Sequence, residues 1–196
     1  MPWPKDHKSR TRDRIVQAAS AAFRARGLSE VRVEDVCAGA GLTHGGFYAH
    51  FSSKDDLLGA ALEHASGQTI ELLSKALESI PPERRLHAMI DAYLSPEHAV
   101  HPERGCPVAA LGPEVARVSG RRRRDLAHAV RQRLDWMRGF FPTRRRDELR
   151  EEQAIGTLAC MVGGLVMARL VGGKESAALL EACRDFLHRT LREAPG

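Results

Sequence analysis

The chain has 196 residues, 43% of them hydrophobic and 28% charged, which suits one or two small domains with a real core and excludes disorder and collagen-like repeats. Residues 1 to 32 hold eight Lys or Arg against three Asp or Glu, whereas the other 164 residues balance 22 against 22. Positive charge confined to one end of a chain is the footprint of a nucleic-acid contact, or of an anionic surface.

Helical spacing then recurs along almost the whole chain. Ile15, Ala18, Ala19, Ala22 and Phe23 predict a first helix that stops at Gly27, and Val33, Val36, Cys37 and Ala40 a second that ends at Gly41-Leu42. Thr43 is placed to cap a third short helix running to about Phe51. Ser52 and Ser53 are each followed three residues later by an aspartate, Asp55 and Asp56, the capping-box pattern for a long fourth helix reaching Leu77 and closed by Pro81-Pro82. Further helices are expected over 86–94, stopped by Pro96; over 107–118, with a kink at Pro113; over 126–141, stopped by Pro142; and over 145–171 and 174–191. The expected fold is all-α with nine helices and no sheet, divided into a helix-turn-helix domain over 1–52 and a helical regulatory and dimerisation domain over 53–196. The longest uncharged apolar stretch, Gln153 to Ala168, is short for a bilayer, and the first residues hold no apolar leader core, so a cytoplasmic protein with no membrane partner is expected. The arginine runs Arg121–Arg124 and Arg144–Arg146 are each followed by acidic residues and read as solvated helix faces.

Two short helices joined through a glycine turn make a helix-turn-helix, whose second helix presents its N-terminal residues to base edges in the major groove. Here those residues are Thr43, His44, Gly45 and Gly46. Two adjacent glycines inside a helix cost roughly 2 kcal/mol relative to alanine, and bare backbone repays that by approaching bases closely. Phe47 and Phe51, four apart, face the core, while Tyr48, His50 and Lys54 supply donors suited to phosphate oxygens.

From about Thr11 to Leu62 the sequence resembles the DNA-binding domain of the TetR/AcrR transcriptional repressors. The resemblance lies in Ala19 and Phe23, Gly27, Asp35-Val36, Ala40-Gly41-Leu42-Thr43, Phe47-Tyr48-Ala49-His50-Phe51, Lys54 and Leu57-Leu58. It implies that His44 and its neighbours meet bases and that Tyr48, His50 and Lys54 meet phosphates, on a double-stranded, palindromic operator. Arg32 stands where that family usually has a Ser or Thr cap, and Gly46 where it has a bulkier residue.

The resemblance also implies that the last two long helices pair with their copies in a homodimer. Gly156, Cys160, Gly164 and Ala168, four apart, draw a small-residue stripe on which another helix can come close. Met89, Tyr93, Trp136, Phe140 and Met161 are candidates to line an adaptable apolar cavity for an inducer, with ordinary core as the other reading. The four cysteines, at 37, 106, 160 and 183, form no C-x-x-C pair and no finger spacing. Cys106 precedes Pro107 at a helix start, with Arg104 two residues earlier, both of which favour a thiolate. Arg104-Gly105-Cys106-Pro107-Val108 looks like a segment in the branch of N-ethylmaleimide reductase repressors, where a cysteine senses electrophiles. Glu97, His98, His101, Glu103 and Cys106 have metal-ligand types, but a loop imposes no ligand geometry, so no metal and no other cofactor is expected. The function expected is that of a sequence-specific transcriptional regulator, a repressor released by a small molecule or by thiol modification, with no catalytic residues. The rivals are an all-helical enzyme using a Cys106 thiolate and an architectural protein that coats DNA without sequence preference.

Overall fold

A computed structural model describes residues 5–117, 120–142 and 146–193. The described residues form ten α-helices and two 3-10 turns, with no strand among them. The helices are α1 (Lys5–Arg26), α2 (Val33–Ala40), α3 (His44–Phe47), α4 (Lys54–Leu77), α5 (Arg85–Tyr93), α6 (Pro96–Val100), α7 (Pro107–Val115), α8 (Arg121–Arg138), α9 (Asp147–Val171) and α10 (Gly173–Glu193). The all-α expectation holds. The tenth helix is α6, because Pro96 opens a helix instead of closing one: it sits in the first turn, where its missing N–H costs nothing, and Ser95 Oγ accepts from His98 N at 3.2 Å. The predicted kink residue Pro113 lies inside α7, which ends at Val115. The run Arg144–Arg146 falls largely outside the described residues.

The chain divides into two compact units. One comprises residues 1–67 and 102–129, so the helix-turn-helix shares its unit with the first half of α4, α7 and the start of α8. Its core joins Ile15, Ala19 and Phe23 of α1 to Val36 and Ala40 of α2, Phe47 and Phe51, Leu57, Leu58 and Leu62 of α4, and Leu111 and Val115 of α7. The arginine run at the start of α8 is only partly a solvated face. Arg122 pairs with Asp55 at 2.6 Å and Arg121 with Asp56 at 3.2 Å, which ties α8 to the first turn of α4.

The second unit comprises residues 68–101 and 130–196. Here α9 packs along α10 and against α6. Leu158, Met161, Leu165 and Ala168 of α9 are buried, as are Leu180 and Leu187 of α10. Arg184 donates to the carbonyl of Leu94 at 2.6 Å, and Arg169 to those of His98 and Ala99 at 2.9 and 3.2 Å, so α5 and α6 are held to the pair through backbone acceptors. By length and composition α9 could cross a membrane, yet its inward stripe is core and its opposite face is apolar and exposed at Ile155, Met167 and Leu170.

Candidate nucleic-acid interface

α2 starts without the side-chain cap its position favours, since Arg32 occupies the N-cap. Asp35 answers instead: its carboxylate accepts from Arg32 N at 2.7 Å and pairs with Arg26 at 3.2 Å. That backbone hydrogen bond, with the neighbouring guanidinium, holds the Asp35 carboxyl below the usual carboxylate value. α2 ends at Gly41, whose φ of 67° closes the helix in the left-handed conformation, and Leu42 N donates to Cys37 O at 2.8 Å. Thr43 takes the extended backbone of an N-cap, as expected, but its hydroxyl makes no capping hydrogen bond. α3 itself is one short turn, His44–Phe47, continued by turns in which His50 N and Phe51 N both donate to Phe47 O. The regular helix is therefore shorter than the reading to Phe51.

Within this turn the side chains separate as their spacing predicts. Phe47 and Phe51 are buried, their rings stacked at 5.8 Å. Thr43, His44, Gly45 and Tyr48 are exposed, and Gly46 and His50 half-buried. Tyr48 is 57% exposed and meets His44 edge-on at 5.4 Å, while His44 Nδ1 lies 3.3 Å from Glu34 of α2. Neither glycine is required by the protein around it. A Cβ added at Gly45 meets nothing within 4 Å, and one at Gly46 only ordinary contacts with Thr43 and Leu42 at 3.7 and 3.9 Å. Neither glycine has a positive φ.

Lys54 is placed differently from a free phosphate donor. Its ammonium donates to Leu28 O, in the loop between α1 and α2, and lies 5.9 Å from the Phe23 ring centroid. Burial and the neighbouring Arg122 hold it below its ordinary value, with Glu114 acting the other way. The α4 cap works as read for the second serine: Ser53 Oγ accepts from Asp56 N at 3.1 Å, and the Asp56 carboxylate accepts from Ser52 N at 3.2 Å. Asp55, paired in the sequence with Ser52, is turned to Arg122.

Three residues the sequence reading passed over complete the unit. Glu114 of α7 accepts from Leu28 N at 2.8 Å and from Ser29 N and Oγ at 2.9 Å each. Burial pushes its carboxyl up, but those three donors and Lys54 more than offset it, and the net direction is down. Leu28 is thus gripped at both backbone groups, by Glu114 on its N–H and Lys54 on its carbonyl. Arg24, 5% exposed in α1, donates to Ser20 O and, at 2.7 Å, to Gly105 O. Burial lowers its guanidinium to about 10, opposed by Cys106 and Glu103. The cation beside Cys106 is therefore Arg24, whereas Arg104 is turned to Glu103 at 3.6 Å, and Cys106 itself, the N-cap of α7, is wholly buried. Arg12, exposed on α1, lies over the Phe51 ring at 4.8 Å. The excess of charge over residues 1–32 was the signal for Arg12 and Arg24, and nothing local marked Glu114.

The other predicted residues divide. Trp136 and Phe140 line a cleft of about 440 Å³ in the second unit, whereas Met89, Tyr93 and Met161 are fully buried. His98 Nδ1 is 2.7 Å from Tyr93 O, and His101 is 3.4 Å from Glu97. Of the small-residue stripe, Gly164 and Ala168 are buried, and a Cβ at Gly164 would lie 2.8 Å from Cys183 Sγ of α10. The helix that approaches closely there belongs to the same chain. Cys160 lies beside Cys183, its thiol pushed up to about 11 by burial and by that neighbour, and Gly156 is exposed.

Residues 15–61 match the family described as bacterial regulatory proteins, tetR family. Over these residues the chain is similar to the TetR family. The chain is 29% identical over 131 residues to the transcriptional repressor DhaR of a Mycobacterium species, covering 66% of the chain and 63% of DhaR. It is 36% identical over 75 residues to the transcriptional regulator TtgR of Pseudomonas putida, covering 38% of the chain and 35% of TtgR. The matches thus span less than two thirds of these relatives. A TetR regulator from Chloroflexus aurantiacus superposes with a TM-score of 0.76 at 24% identity, over 96% of this chain and 97% of that one. Reduced E. coli NemR does so at 0.76 and 19% identity, over 91% and 95%. The TetR fold therefore extends over nearly the whole chain.

Proposed function

We propose that the chain is a cytoplasmic, homodimeric, sequence-specific DNA-binding regulator, a repressor that a small molecule or modification of Cys106 releases. One observation carries this reading: Thr43, His44, Gly45 and Tyr48 form an exposed face, and neither Gly45 nor the half-buried Gly46 beside it is required by a close contact in the fold. Side-chain-free backbone at the start of a helix suits close approach to base edges, with His44 beside it as donor or acceptor. Tyr48 and His50, and the exposed cations Lys8, Arg12 and Arg14 of α1, suit phosphates on either side. Lys54 supports the interface from within, by fixing the α1–α2 loop. An architectural DNA-coating protein does not call for such a face, and an enzyme built on Cys106 leaves it without a role.

The dimer reading is supported by the exposed apolar residues Ile155, Met167 and Leu170 of α9 and Phe186 of α10, with Gly156 among them. The sensor reading is supported by the packing of Cys106. Its neighbour Gly105 is bonded to Arg24 of α1, so any group added to the sulfur disturbs the anchorage of the helix that carries the helix-turn-helix. NemR, similar in fold, was solved in a form described as reduced.

Selection of bound sequences from a random duplex pool tests the reading. A palindromic product, bound as a dimer, is expected; absence of enrichment over competitor DNA overturns it. An electrophile should then release the product from the wild type and leave a Cys106→Ser variant bound, and equal behaviour of the two removes Cys106 from the account.

A further inference from the structure

Arg133 stands on α8, in the second unit, with 3% of its surface exposed. Its guanidinium lies over the ring of Trp136, 5.6 Å from the centroid, and its Nη1 has no hydrogen-bond acceptor among the described residues. A ring face compensates a desolvated guanidinium far less than a carboxylate does, and a buried cation with nothing else is costly. Arg184, Arg169 and Arg150 of this unit each leave no more than one buried nitrogen unpaired and have at least one polar acceptor, the Leu94 carbonyl, those of His98 and Ala99, and Asp147 respectively. Trp136 connects Arg133 to the cleft of about 440 Å³, which Trp136 lines with Phe140 and Leu77, a volume in the range of small-molecule sites. Arg133, Trp136 and Phe140 follow one another at i, i+3 and i+7 along α8, so the cation stands at one end of the aromatic stripe. Arg85 and Glu78 also line the cleft and cancel in formal charge, and Arg133, which is not itself a lining residue, adjoins it through the Trp136 ring.

We propose that Arg133 anchors the carboxylate of a small amphipathic anion whose apolar body lies along Trp136 and Phe140. This names the ligand class for the regulator proposed above and rests on that reading only for its consequence at DNA, since binding is measured without DNA. The chain has two tryptophans, so a Trp3→Phe variant leaves Trp136 as the reporter. Its fluorescence is followed during titration with octanoate, octanamide and octylamine. Octanoate should bind about tenfold more tightly than octanamide, octylamine should not bind, and Arg133→Gln should abolish the preference while Arg133→Lys keeps part of it. Equal binding of octanoate and octanamide, no response to octanoate, or a preference that survives in Arg133→Gln overturns the proposal. Folding is read separately: without ligand, Arg133→Met should melt at the same temperature as the parent or higher, as removal of an unpartnered buried charge requires. A marked fall in melting temperature would mean that the protein itself satisfies the guanidinium, and would overturn the proposal. Octanoate binding that leaves operator binding unchanged keeps the anion site and overturns the regulatory reading instead.

Discussion

Gly45 and Gly46 set the demands of the fold against those of the interface. Alanine at either position fits the protein without a close contact, and a helix gains about 1 kcal/mol for each replacement. Gly45→Ala and Gly46→Ala should therefore raise the melting temperature and weaken operator binding, two readouts moving in opposite directions. Loss of both together would show that the glycines serve the fold. Lys54 makes the converse case. With its ammonium on Leu28 O, Lys54→Ala should lower stability by about 1 to 2 kcal/mol and weaken binding to every sequence, whereas Tyr48→Phe should weaken binding with no thermal cost. Thermal melts and anisotropy titrations on one operator separate the two. A lysine followed by two aspartates at a helix start read from sequence as an exposed anion ligand; that its side chain folds back 26 residues depends on where α1 ends.

At the level of helices, periodicity and caps were legible because they are local: the faces of α1 and α2, the spans of α9 and α10, the Gly41 turn and the Ser53 cap all follow from residues within one or two turns. Pro96 misled because proline both closes a preceding helix and opens a following one, and only Ser95 as a cap decides between them. What was not legible is the grip of α7 on the α1–α2 loop, made by Glu114 across 85 and 86 residues, and that of Arg24 on Gly105 across 81. Such pairs leave no periodic trace. Glu114→Gln should cost about 1 to 3 kcal/mol, through weaker acceptance from Leu28 and Ser29. The same contacts fix the sign of the pH dependence. Asp35, Asp56 and Glu114 are all held below their ordinary values of 3.8, 3.8 and 4.5, so they bind fewer protons folded than unfolded in that range. Their contribution is complete above those values and is lost as pH falls through the lower, folded ones. Denaturation midpoints between about pH 6 and pH 3 should fall on acidification, and fall less in Asp35→Asn. Stability that rises in that range would contradict the assignment.

For the molecule as a whole, the small-residue stripe of α9 shows where sequence reasoning runs out. It found the spacing at which helices approach closely, but not which helix approaches: Gly164 takes α10 of its own chain, and the exposed apolar surface lies on the other side, at Ile155, Met167 and Phe186. Ile155→Asp with Phe186→Asp should therefore produce a folded monomer in sedimentation, with binding to a palindrome reduced far more than binding to a half-site; an unchanged dimer would place the interface elsewhere. The fold class and the exposed α3 face were readable from local spacing, whereas partners of helix faces depend on packing that no single segment encodes. The most direct measurement on the α3 face is selection from a random duplex pool with the wild type and with His44→Ala in parallel. The two consensus sequences should differ at the same position in both half-sites. Identical consensus sequences, with affinity lost equally on all of them, would contradict base reading by this face.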